Sequence, residues 1–127
     1  MRSVSPGDCF YFDPTGGRNF HLWIVLAVYT PELSDEDFAV IVSITSMTGR
    51  ADTTCVLRPD DSDAYEFVRH ESYVYYEDCW EIEAAKLLDP AVQRRAPVPL
   101  ALWTRVRNGL HRSPRLPRRI KDRVPRG

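Results

Sequence analysis

The 127-residue sequence has no apolar run approaching the roughly 20 residues that a bilayer-spanning helix needs, which excludes a helical membrane protein. Its first residues, Met-Arg-Ser-Val-Ser-Pro-Gly-Asp, lack the apolar stretch of a signal peptide, so the cytoplasm is the expected compartment and no membrane partner is expected. Cysteine is scarce. Cys9, Cys55 and Cys79 are odd in number and far apart, without CxxC spacing, which argues against a disulfide framework and a zinc site and for three ordinary reduced thiols. HxH and HExxH spacings are also missing, so neither a metal nor any other cofactor is expected, and Asp60, Asp61 and Asp63 read as a solvated acidic loop. No internal repeat or low-complexity tract is present.

Positive charge is missing from most of the chain. Residues 1–93 carry 6 Lys/Arg against 17 Asp/Glu, whereas residues 94–127 carry 11 Lys/Arg against 1 Asp, giving net charges of −11 and +10. A basic segment of that density attracts polyanions, nucleic acid foremost. The same segment can instead fold back on the acidic body or stand as a solvated face, and the composition leaves these readings open.

What the chain does contain is a series of short β patterns. Residues 8–13 form an aromatic-rich strand between Pro6-Gly7 and the loop Pro14-Thr15-Gly16-Gly17. His21 to Tyr29 is apolar on both alternating faces, as in a strand covered on both sides. Phe38 to Thr45 is a third strand, Ser46 to Asp52 a polar loop, and Thr53 to Arg58 a fourth strand. A partly helical excursion over Tyr65 to His70 leads into Ser72 to Tyr76, and Cys79 to Glu83 alternates again. Five or six short strands with little helix predict a mainly β fold, a small barrel or strongly curled sheet. After Pro97 and Pro99, the spacing of Trp103, Val106 and Leu110 predicts an amphipathic C-terminal helix ending near Gly109. Pro114, Pro117 and Pro125 stop it short of the basic tail, so the expected organisation is a barrel domain with its helix over 1–112 and a tail over 113–127.

The run Pro6-Gly7-Asp8-Cys9-Phe10-Tyr11-Phe12-Asp13-Pro14, a glycine loop, and His21-Leu22-Trp23-Ile24-Val25-Leu26 resembles the opening of MazF/PemK toxins. The resemblance continues through Ser43-Ile44-Thr45-Ser46 and Ser72-Tyr73-Val74 and covers about residues 5–112. It implies an SH3-like barrel with a C-terminal helix, usually a homodimer, that acts as the toxin of a toxin–antitoxin system. It further implies ribosome-independent endoribonuclease cleavage of single-stranded RNA and neutralisation by a cognate antitoxin protein. Family members carry an active-site arginine just before the second strand and a Thr or Ser at the end of the third. Thr45 meets the second requirement. At the first, this chain has His21, with Arg18 three residues earlier.

Metal-free RNA cleavage needs a base for the 2′-OH, donors for the charge developing on phosphorus, and an acid for the departing 5′-oxygen. As an imidazole, His21 suits either proton-transfer role. Arg18 could grip a phosphate with its fork of N–H donors, Thr45 or Ser46 could donate a hydroxyl hydrogen bond, and His70 could be the second proton-transfer group. Substrate contacts are expected from Ser46, Arg50, Tyr73 and Tyr75, the tyrosines by stacking on bases. The plainer readings are that His21 caps a strand, Arg18 and His70 are solvated loop residues, and the tyrosines fill a core. The competing function is a non-catalytic nucleic-acid- or protein-binding module on the same barrel.

Overall fold

The computed structural model describes residues 3–47 and 52–126. The mainly β expectation holds: six antiparallel strands form a curled half-barrel accompanied by short helices. In chain order the elements are β1 (Cys9–Phe12), β2 (His21–Tyr29), β3 (Phe38–Ser46), β4 (Val56–Leu57), β5 (Ser72–Glu83), α1 (Ala84–Leu87), β6 (Gln93–Arg95), α2 (Leu100–Arg112) and α3 (Arg118–Lys121). Across the sheet the order is β4-β5-β3-β2-β1-β6. The two segments read separately at Ser72–Tyr76 and Cys79–Glu83 are one strand, interrupted by a bulge: Val42 pairs with Cys79 while its neighbour Ser43 pairs with Tyr75. Residues 65–70 form turns and bends, without the expected helical excursion.

Because side chains alternate across a strand, the central strands feed two apolar clusters at once. Leu22, Ile24, Val42, Ile44 and Val74 point to one face. Trp23, Val25 and Ile41 point to the other, where Phe10, Ile82 and Leu87 cover them. On the first face lies α2, whose Leu102, Val106 and Leu110 recur every four residues and form its buried stripe. Polar contacts help pin this helix to the sheet: the Tyr76 hydroxyl donates to the Val106 carbonyl at 2.7 Å, and Trp103 Nε1 donates to the Val25 carbonyl at 3.1 Å. Gly109 lets the helix sit close, since a Cβ there would lie 2.9 Å from Tyr76 Cζ.

The basic segment takes the fold-back course. Leu116, Ile120 and Val124 are buried in the same cluster as α2. Arg119 pairs with Glu81, Arg115 lies 3.5 Å from Glu77, and the Arg123 guanidinium sits 4.3 Å over the Tyr29 ring. Asp61 and Asp63 are likewise engaged: Arg105 of α2 donates to both, at 3.0 Å and 2.7 Å, and also to the Val56 carbonyl at 2.8 Å. This bidentate clamp ties the 58–63 loop to the helix. No helix among the described residues is long and apolar enough to cross a membrane.

Candidate functional site

At one end of β2, β3 and β5 a cavity of about 830 Å³ opens beside the 65–70 turn. Its walls include His21, Thr45, Ser46 and His70, so four of the residues singled out in the sequence come together. Arg18 is exposed in the 13–20 loop and does not line the cavity. Tyr73 is buried beside Thr45, its partner in register, with Tyr75 edge-on to it at 5.9 Å; neither borders the cavity. Arg50 lies outside the described residues.

The closest polar contact among these candidates is between Ser46 Oγ and His70 Nε2, 2.9 Å apart. Ser46 is the last residue of β3, paired with Ser72, and His70 sits in the turn that leads into β5. Their approach is built by the backbone: the Met47 amide donates to the Glu71 carbonyl at 3.0 Å, and the Ser72 hydroxyl donates to the His70 carbonyl at 2.9 Å. Both side chains are exposed, so a molecule bound in the cavity can reach the imidazole.

Strand alternation puts His21 and Thr45 on the other face of the sheet from Leu22 and Ile44. His21 pairs with Phe12, whose side chain belongs to the Trp23 cluster, and Thr45 pairs with Tyr73. One step past the last β2–β3 pair, Leu22 with Ile44, His21 stands opposite Thr45. Both border the cavity from the ends of β2 and β3.

The aromatic walls come from residues the sequence reading did not select. Tyr11 stacks edge-on with Phe20 at 5.4 Å and leans on Phe67 at 5.7 Å. Phe20, 38% exposed, is presented by the 13–20 loop. The Asp13 carboxylate organises that loop, accepting from the Thr15 hydroxyl at 2.7 Å, the Thr15 amide at 2.9 Å and the Asn19 amide at 2.9 Å. These hydrogen bonds, that of the Thr15 hydroxyl foremost, hold the Asp13 carboxyl below the usual carboxylate range. Gly16 turns the chain at φ +81°, and at Gly17 a Cβ would stand 2.8 Å from Asp13 Oδ2. Arg95 closes the wall from β6, and Arg69 and Glu66 stand on the turn side. The Asp-Pro-Thr-Gly-Gly loop was legible as a turn, but the pairing of β6 with β1, which carries Arg95 into place, had no signal in three exposed polar residues.

The arrangement offers proton transfer at His70, hydroxyl donors at Ser46 and Thr45, guanidinium donors at Arg95 and Arg69, and exposed aromatic surface on which flat rings can stack. No protein-family model, no curated protein and no solved structure matches the chain.

Proposed function

We propose that the protein is a metal-independent endoribonuclease of single-stranded RNA, built on an SH3-like barrel and acting as the toxin of a toxin–antitoxin pair. The observation that carries this reading is the Ser46–His70 contact at the mouth of a cavity lined by arginine and by the aromatic rings of Tyr11, Phe20 and Phe67. Single strands are held by such combinations, because phosphates seek cations and unpaired bases seek rings. The resemblance of the strand segments to MazF/PemK toxins supplies the choice of RNA, the antitoxin partner, the cytoplasmic setting and the homodimer.

In this reading the neutral imidazole of His70 takes the proton of the ribose 2′-OH. The 2′-oxygen attacks phosphorus, the bond from phosphorus to the 5′-oxygen breaks, and the leaving oxygen takes a proton, with His21, which also borders the cavity, as the donor. The products are a 2′,3′-cyclic phosphate and a 5′-hydroxyl end. Ser46 and Thr45 hydroxyls donate to non-bridging oxygens as charge builds on them.

The test is incubation of the purified protein with single-stranded RNA in EDTA. Cleavage to 2′,3′-cyclic phosphate ends is expected; loss of activity in EDTA with recovery on adding Mg²⁺ contradicts the reading. A second reading, binding without cleavage, is favoured by one observation: Arg18 stands outside the cavity and His21 occupies the position of the family's arginine. RNA that is bound and released intact identifies that case.

A further inference from the structure

With Arg18 outside the cavity, a phosphate there needs another cation, and β6 supplies one. Arg94 and Arg95 are neighbours in the same exposed strand, yet alternation sends them to opposite faces. Arg94 is consumed by structure: it donates to Asp8 at 2.8 Å and to the Ser3 carbonyl at 3.1 Å, and lies over the Phe10 ring. Arg95 pairs with Cys9, whose side chain belongs to the cavity-side cluster, and its guanidinium lies 5.6 Å from the ring centres of both Tyr11 and Phe67. Among the described residues it makes no ion pair, and Glu66, the carboxylate that also lines the cavity, is not within ion-pair distance of it.

We propose that Arg95 is the residue that grips the substrate's phosphate in this cavity, the task that the sequence suggested for Arg18. The proposal rests on the RNA reading above and deepens it. Contact with two aromatic rings restrains the long side chain while leaving its N–H fork open to bind two phosphate oxygens at once. Arg69 borders the same cavity, but no aromatic contact or ion pair holds its guanidinium among the described residues, so it has more freedom to lose on binding.

The test compares Arg95→Gln, Arg95→Lys, Arg18→Gln and, as a remote control, Arg107→Gln, each checked for a wild-type melting temperature. Arg95→Gln should slow single-turnover cleavage at saturating RNA by roughly 10²-fold, as removal of one transition-state donor does in other enzymes. Arg95→Lys, which keeps the charge and loses the fork, should recover part of the rate and unfold no more readily than wild type. Binding of a 2′-O-methyl RNA, which cannot be cleaved, separates the two claims. Arg95→Gln should lower the salt dependence of that binding by about one phosphate contact. Intact binding behaviour and rate in Arg95→Gln, with the loss falling on Arg18→Gln, overturn the proposal and leave the RNA reading standing. A wild-type protein that neither binds nor cleaves RNA overturns both.

Discussion

Replacing Gly109 by alanine inverts an ordinary expectation. In an exposed helix the change gains about 1 kcal/mol, because alanine loses less backbone freedom than glycine. Here the new methyl would fall well inside contact distance of the Tyr76 hydroxyl oxygen, 2.9 Å from Tyr76 Cζ and 3.3 Å from Cys55 Cβ. Tyr76 is fully buried and cannot swing away, and its hydroxyl is committed to the Val106 carbonyl at 2.7 Å. Overpacking of this kind costs about 1–3 kcal/mol, and displacing the hydroxyl from its acceptor adds about 1 kcal/mol. Set against the propensity gain, the net expectation is a destabilisation of about 1–3 kcal/mol. In a Tyr76→Phe background the worst contact is gone, so Gly109→Ala should cost about 1–2 kcal/mol less there. Urea unfolding of the four proteins in this double-mutant cycle, with unchanged m-values, measures both numbers. A Gly109→Ala protein more stable than the parent would show that α2 does not sit against β5 as described, and the reasoning would fail.

Removing residues 114–127 strips Leu116, Ile120 and Val124 from the core, a loss of roughly 4.5–9 kcal/mol at about 1.5–3 kcal/mol for each buried side chain; the truncated chain should melt without a cooperative transition, and a sharp native-like melt would contradict the fold-back of the basic segment. Arg105→Met leaves Asp61 and Asp63 without their clamp and should destabilise by about 1–3 kcal/mol, read from urea midpoints at pH 7. The Asp61 carboxyl is held below its ordinary 3.8 by the Arg58 amide first, and then by Arg105. A depressed native pKa contributes stability above the unfolded value that is lost as pH falls through it, so the Arg105→Met deficit should shrink below about pH 4; a deficit constant from pH 7 to pH 3 would refute the assignment.

Continuous apolar runs made β2 and β3 legible. His21–Tyr29 stands as read, and Phe38–Thr45 gains a single residue. Elements held together by distant partners gave no local signal. The residues of β6 are Gln-Arg-Arg, which becomes a strand by pairing with β1, and the bulge in β5 reads locally as a break. The last segment did carry a signal: Leu116, Ile120 and Val124 recur at four-residue spacing among the arginines, but Pro114 and Pro117 argue for a tail. The site divides in the same way. Ser46 and His70 could be named as candidates, but their contact depends on the β3–β5 register, and Arg95 depends on an edge pairing that composition does not reveal.

The central claim is that His70, set against Ser46, transfers the proton in RNA cleavage. The most direct measurement is the single-turnover rate of His70→Ala on a single-stranded RNA at saturating protein, beside its affinity for the same RNA with 2′-O-methyl groups. The account predicts a rate lower by about 10²-fold or more with affinity within a few-fold of wild type. A His70→Ala protein that cleaves at the wild-type rate would contradict it.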